Sequence, residues 1–126
     1  MHGRILAIED NMLSLELITY LLRAFGYDVL AASDGTEGLE LVHREKIDLI
    51  ICDISLPDID GFEVARQLKN DPELCRIPLI AVTALAMVGD RERMLASGFD
   101  GYISKPIDPA AFVQQIEVFL NNKTDL

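Results

Sequence analysis

The chain has 126 residues, of which 50% are apolar and only 6% aromatic, and its formal net charge is −10. This length suits one domain with a mainly aliphatic core. The negative charge argues against general binding to nucleic acid or anionic membranes, and it favours cationic partners or a metal held among carboxylates.

Short aliphatic runs alternate along the chain with segments of helical period. The predicted strands are residues 5–8, 28–31, 48–52, 78–82 and 102–103. The predicted helices are residues 12–25, 36–45, 62–68 and 91–96, followed by a last helix with Pro109 in its first turn. Apolar side chains spaced three and four residues apart indicate the helices, and Gly26 is typical of a helix end.

The alternation of strands and helices predicts the class of fold. The pattern repeats five times, and the strands are continuously apolar instead of alternating with polar residues. Such strands indicate a parallel sheet covered on both faces, in a doubly wound α/β sandwich. No linker, repeat or low-complexity segment interrupts the pattern, so we expect a single domain over residues 1–126.

The cysteine count and the lengths of the apolar stretches bear on the cellular compartment of the protein. Two cysteines, Cys52 and Cys75, are too few for a disulfide framework or a thiolate metal site. No stretch has the apolar length of a signal peptide core or a membrane span. We therefore expect a cytoplasmic protein.

Side chains suited to chemistry follow four of the predicted strands. In a doubly wound sheet, ligands bind outside the carboxyl ends of the strands. The residues at those ends are Glu9, Asp10, Asp53, Thr83, Ser104 and Lys105. We therefore expect the three carboxylates, the Thr83 hydroxyl and the Lys105 ammonium to lie at one edge of the sheet.

This set of groups predicts phosphoryl chemistry. Oxygen ligands suit Mg²⁺, which binds one or two carboxylates together with water and phosphate. A carboxylate can also attack phosphorus and form an aspartyl phosphate. Asp53 is the best-placed nucleophile because it ends a central strand, while Lys105 and Thr83 are placed to contact phosphoryl oxygens.

Each residue also has an ordinary structural interpretation. Asp10 is placed to cap the following helix, Thr83 to satisfy a backbone group, and Lys105 to be a surface charge. The joint occurrence of all these residues at strand ends favours a functional site.

From about residue 4 to residue 120, the chain resembles the receiver domains of two-component response regulators. After the acid pair Glu9–Asp10, Asp53 follows 43 residues after Asp10, Thr83 another 30 residues on, and Lys105 22 residues after that. The segment Asp53-Ile54-Ser55-Leu56-Pro57, followed by Asp60-Gly61, resembles the family's phosphorylation loop. Residues 81–93 resemble the single-domain or hybrid-kinase branch of that family.

The resemblance implies a fold, a reaction and a cofactor. The fold is a five-stranded parallel sheet flanked by five helices, with the flavodoxin-like strand order 2-1-3-4-5. Asp53 accepts a phosphoryl group from a sensor histidine kinase or a histidine phosphotransfer protein. Mg²⁺, for which Mn²⁺ can substitute, is held by Glu9, Asp10, Asp53 and the backbone carbonyl of Ser55.

The resemblance also implies a switch. Thr83 and Tyr102 form the coupled pair, Lys105 and Ala84 belong to the phosphate-contact group, and the peptide bond before Pro106 is cis. Phosphorylation adds charge and acceptor oxygens that draw Thr83 inward. The predicted readout is the surface formed by residues 88–120, which binds a downstream protein. We expect a monomer or weak homodimer without nucleic-acid or membrane partners.

The sequence departs from the family pattern at two positions. Glu9 stands where Asp is commoner, and its extra methylene is expected to favour a water-mediated metal contact. Leu56 replaces a frequent Met, which is a conservative apolar change. Neither departure removes a required group.

Two other functions remain as alternatives. A phosphatase that uses an aspartyl phosphate usually needs a second Asp two residues after the nucleophile, where this chain has Ser55. A degenerate receiver that only binds proteins would not need the intact set of acids and Lys105. The favoured prediction is a phosphoacceptor signalling domain that catalyses only its own phosphorylation and dephosphorylation.

Overall fold

The computed structural model of the chain describes residues 3–84 and 88–124, apart from the side chains of residue 88 and residues 121–124. The strands are β1 Arg4–Ile8, β2 Asp28–Ala32, β3 Leu49–Cys52, β4 Leu79–Thr83 and β5 Gly101–Ser104. The helices are α1 Met12–Ala24, α2 Gly35–Arg44, α3 Gly61–Lys69, α4 Val88–Ala96 and α5 Phe112–Thr124.

The strands form one parallel sheet in the order β2-β1-β3-β4-β5, which confirms the predicted order. Its register aligns the carboxyl ends of neighbouring strands. Ile8 at the end of β1 pairs with Cys52 at the end of β3, and Thr83 at the end of β4 pairs with Ser104 at the end of β5. The residues that follow these strands therefore emerge side by side.

The core consists of two apolar layers, one on each face of the sheet. Every residue of β3 and β4 is buried, because successive side chains point to opposite faces and both faces are covered. One layer packs β-strand side chains against α1 and α5, including Ile18, Leu22, Phe112 and Ile116. The other layer packs them against residues of α2, α3 and α4, including Val42, Val64, Leu68 and Met94.

The prediction for the start of the last helix is wrong. The carbonyl of Asp108 accepts hydrogen bonds from the amides of Ala111 at 3.0 Å and Phe112 at 2.9 Å, and its side chain accepts one from Ala110 at 3.0 Å. These bonds form a turn that contains Pro109, and α5 begins only at Phe112.

One strand differs in length from the sequence-based prediction, and one predicted segment is not among the described residues. β5 is longer than predicted because its four residues all pair with β4. Residues 85–87, which belong to the segment that suggested a branch of the receiver family, lie outside the described residues.

Across the ranges that are described, no helix has both the length and the apolar composition required to cross a membrane.

Candidate functional site

Three carboxylates meet at the carboxyl ends of β1 and β3. Oxygen atoms of Glu9, Asp10 and Asp53 all lie within 4.8 Å of one another. Glu9 is 1% exposed and Asp53 6% exposed, whereas Asp10 is exposed to solvent. Sheet pairing continues one residue beyond the strands and fixes two of these residues, because the Asp53 amide donates to the Ile8 carbonyl at 3.0 Å and the Glu9 amide to the Ala32 carbonyl at 2.9 Å.

Lys105 supplies the positive charge at this cluster. Its Nζ lies 2.6 Å from Glu9 Oε1 and 3.1 Å from Asp53 Oδ2, and its side chain is 20% exposed. The Lys105 amide donates to the Thr83 carbonyl at 2.9 Å, and the Lys105–Pro106 peptide bond is cis. Lys105 is thus held over the two buried acids and is not a surface charge, which excludes that alternative.

Burial sets the electrostatics of this pair of acids. Desolvation raises the pKa of Glu9 to about 7, against the opposing effect of the Lys105 ammonium and together with the nearby charge of Asp53. Burial lowers the pKa of Lys105, but its contacts with Glu9 and Asp53 outweigh that effect and raise the pKa above its ordinary value. Lys105 therefore stays charged while Glu9 titrates near neutral pH.

We predict a pH-dependent stability that originates at Glu9. Because the pKa of Glu9 is higher in the folded chain, the folded state binds the proton more tightly than the unfolded state does. The stabilising contribution is complete below the unfolded pKa near 4.5 and is lost as the pH rises through about 7. As the pH rises from below 4.5 to above 7, the free energy of unfolding in EDTA should therefore fall by on the order of 1–3 kcal/mol more in wild type than in Glu9→Gln. Urea titration at each pH measures this difference. A difference between the two proteins that does not vary with pH would contradict this assignment.

The loop after β3 holds the Asp53 carboxylate in place. Asp53 Oδ1 accepts a hydrogen bond from the Ser55 amide at 3.3 Å, and the Gly61 amide donates to the Ile54 carbonyl at 2.8 Å. At Gly61, a Cβ atom would lie 2.5 Å from the Asp53 carbonyl oxygen and 2.7 Å from Ile54 Cα. The start of α3 therefore approaches the Asp53 backbone at a distance that only glycine permits.

Replacing Gly61 with alanine is expected to destabilise the chain and displace Asp53. The new methyl group would meet backbone atoms, which cannot rotate away, so the free energy of unfolding should fall by about 1–3 kcal/mol. Gly89→Ala is the matched control, because a Cβ at Gly89 in α4 would meet no atom of the described residues within 4 Å. It should stabilise the chain by up to about 1 kcal/mol. Equal effects of the two substitutions in chemical denaturation would contradict the close approach at Gly61.

The other sequence-predicted site residues differ in their burial and in their contacts. Thr83 is buried at the end of β4, the strand between β3 and β5, and Ala84 follows it in an exposed position. The Ser55 side chain is exposed. Tyr102 lies in β5 and is half-buried, and its hydroxyl accepts a hydrogen bond from Nε of Arg91 at 2.9 Å. The tyrosine hydroxyl thus contacts α4.

Three residues of the site region were missed from the sequence. Asn11, not Asp10, caps α1, because its side chain accepts from the Ser14 amide at 3.0 Å. Its own amide donates to Glu9 Oε2 at 3.2 Å. Arg91 and Asp58 were also missed, since each contacts residues distant in sequence. Of these, only Asn11 had a local signal, as Asn is a favoured N-cap residue.

The donor set fits a hard divalent cation. Its side-chain ligands are all carboxylate oxygens, which suit Mg²⁺, and two of them are buried enough to gain from a second positive charge. Lys105 alone compensates only one of the three negative charges that the acids carry when ionised. The residues present therefore suit Mg²⁺ without any change in the chain.

Comparison with known proteins agrees with this geometry. The sequence model of the response regulator receiver domain matches residues 5–117. The polar-differentiation response regulator DivK of Brucella anthropi is 43% identical over 118 residues, which cover 94% of this chain and 96% of DivK.

Two solved structures have the same fold. A CheY-like response regulator receiver domain protein from Methanospirillum hungatei superposes with a TM-score of 0.89 at 29% identity, covering 98% of this chain and 97% of that one. The receiver domain of a sensor histidine kinase from Pseudomonas aeruginosa has a TM-score of 0.88 at 32% identity, covering 96% and 99% of the two chains. That second structure is described as having a magnesium ion coordinated in its active-site cleft.

Proposed function

The chain belongs to the response regulator receiver domain family and acts in phosphorylation-based two-component signalling, and from this premise we propose that Asp53 is its phosphoacceptor. The observation that carries the proposal is the position of the Asp53 carboxylate. It lies within 4.8 Å of carboxylate oxygens of Glu9 and Asp10, and its Oδ2 contacts the Lys105 ammonium at 3.1 Å. A nucleophile, a counter-charge and a set of metal ligands are therefore side by side.

The proposed reaction is a transfer between a phosphohistidine and an aspartate. An oxygen of Asp53 attacks phosphorus, a new P–O bond forms, and the P–N bond to the donor imidazole breaks. The imidazole leaves with the bonding electron pair and takes up a proton. A histidine kinase or phosphotransfer protein is the class of partner that a receiver domain implies.

We propose that Mg²⁺ is held by Glu9, Asp10, Asp53 and the backbone carbonyl of Ser55, with Mn²⁺ able to substitute. When bound, the ion neutralises charge on the phosphoryl oxygens. Lys105 would also neutralise charge on the phosphoryl group, since its ammonium lies against Asp53 at 3.1 Å.

The proposed switch is the coupled pair of Thr83 and Tyr102. Thr83 ends the strand next to β3, and we propose that its hydroxyl bonds the added phosphoryl oxygens and that the neighbouring Ala84 belongs to the phosphate-contact group. Movement of Thr83 leaves space into which Tyr102 turns, and this changes the surface of residues 88–120. We propose that a downstream protein binds that surface, and that the chain acts as a monomer or weak homodimer.

The compartment follows from the partners. We propose a cytoplasmic location, where a histidine kinase draws its phosphoryl group from ATP. Both cysteines are free thiols, as is usual in a reducing compartment.

Mg²⁺-dependent self-phosphorylation is the test of this function. After incubation with a small acyl phosphate, intact-mass measurement should show one added phosphoryl group in Mg²⁺ and none in EDTA. The modified protein should lose the group slowly and should not turn over a generic phosphomonoester, because Ser55 offers no acidic group for a phosphatase mechanism. Modification that is equal with and without Mg²⁺, or rapid ester hydrolysis, would contradict the proposal.

A further inference from the structure

Asp58 connects the loop after β3 to the start of α2. Its carboxylate accepts hydrogen bonds from the Gly35 amide at 2.9 Å, from the Thr36 amide at 2.8 Å, and from the Thr36 hydroxyl. These bonds, above all that from the Thr36 hydroxyl, lower the pKa of Asp58 well below its usual range. The side chain is thus a charged acceptor for three donors on another element.

The segment that Asp58 contacts is also bonded to Glu9, the second buried acid of the cluster. Residues 32–36 span the end of β2, the connection and the first residues of α2, and the carbonyl of Ala32 accepts a hydrogen bond from the Glu9 amide at 2.9 Å. At Gly35, a Cβ would lie 2.5 Å from Ile59 Cγ1, so this segment also packs closely on the residue after Asp58. One short connection is therefore bonded both to Glu9 and to the loop that follows Asp53.

We propose that Asp58 is a positioning residue for the metal and phosphoryl site. By fixing residues 53–60 against the start of α2, it holds the Ser55 carbonyl and the Asp53 carboxylate at their spacing from Glu9. The inference rests on the proposed function, because it concerns the same ligands. Outer residues of this kind orient metal ligands without touching the ion.

A simple capping role does not explain the Asp58 contacts. The first turn of α2 already has a reciprocal cap, in which Asp34 accepts from the Glu37 amide at 2.8 Å and Glu37 accepts from the Ser33 amide at 2.8 Å. Asp58 adds bonds at the same helix end from a loop 22 residues away in sequence. What these bonds add is the connection between two segments.

Asp34→Ala is the matched control for Asp58→Ala. Each substitution removes one carboxylate and one set of bonds at the start of α2, but only the Asp58 change releases the loop. Mg²⁺ affinity of the whole chain, measured by calorimetric titration, should weaken about tenfold in Asp58→Ala and less than about twofold in Asp34→Ala. Asp58→Asn, which keeps one acceptor oxygen, should lie between wild type and Asp58→Ala.

A second measurement is independent of metal. In EDTA, the NMR amide signals of Asp53 and Ser55 should shift in Asp58→Ala and stay near their wild-type positions in Asp34→Ala. If wild type binds no Mg²⁺, the proposed metal site is wrong, and the amide shifts still decide whether Asp58 positions the loop. Equal Mg²⁺ affinities for the two alanine variants, or unshifted Asp53 and Ser55 amides in Asp58→Ala, would overturn the positioning role.

Discussion

Replacing Asp53 with asparagine is expected to abolish phosphorylation by a small acyl phosphate in the presence of Mg²⁺. The amide has nearly the size of the carboxylate but lacks its negative charge and its nucleophilic oxygen. Glu9 does not replace it, because its Oε1 is buried against the Lys105 ammonium at 2.6 Å. Intact-mass measurement should show one added phosphoryl group on wild type and none on Asp53→Asn.

Asp60→Asn is the control for this loss. Asp60 lies in the same loop, and its side chain caps α3 by accepting from the Glu63 amide at 2.9 Å. Asparagine is as good an N-cap, so the substitution makes the same charge change without breaking the cap. Asp60→Asn should be phosphorylated like wild type. A wild-type rate of modification in Asp53→Asn would refute the assignment of the nucleophile.

Replacing Lys105 with methionine is expected to separate metal binding from phosphoryl transfer. Removing a preorganised cationic donor should slow phosphorylation by about 10²- to 10³-fold. Mg²⁺ should nevertheless bind more tightly, because the ammonium that now competes for Glu9 and Asp53 would be gone. Mass spectrometry over time measures the first effect, and calorimetric titration with Mg²⁺ measures the second.

Lys69→Met provides the comparison for a lysine buried to the same degree. The Lys69 side chain is 22% exposed and its Nζ pairs with Asp100 at 3.1 Å, on a side of the fold formed by α3 and the start of β5. Its loss should lower stability without changing the rate of phosphorylation or Mg²⁺ affinity. Weaker Mg²⁺ binding in Lys105→Met, or equal rate losses in the two variants, would show that Lys105 has a structural role only.

The acids, Thr83 and Lys105 could be placed from the sequence because the fold is regular. Continuous apolar strands alternating with helices indicate a parallel sheet, and the carboxyl ends of such strands share one edge. The register then brings Ile8 beside Cys52, so the residues that follow them meet. The predicted fold is confirmed on this basis, and the strand order, which the resemblance to receiver domains implies, is confirmed as well.

The long-range contacts around the site could not be predicted in this way. Asp58 and Arg91 act on partners 22 and 11 residues away, and no local pattern states which loop a side chain will reach. The sequence suggests Asp10 as the cap of α1, but the neighbouring Asn11 is an equally good N-cap residue, and the structure assigns the cap to Asn11. The sequence predicts Pro109 in the last helix because proline suits a first turn, but proline equally suits the turn that precedes α5.

Locating the phosphoryl group on the wild-type chain tests the central claim most directly, because loss of modification in Asp53→Asn also follows if Asp53 serves only as a metal ligand. Borohydride converts an aspartyl phosphate to homoserine, and peptide mass mapping then identifies the converted residue. The expected result is homoserine at position 53 alone, formed only after treatment with the acyl phosphate and Mg²⁺. Conversion at Glu9 or Asp10 would contradict the assignment of Asp53 as the phosphoacceptor. The same holds if the chain gains the phosphoryl mass but no residue is converted.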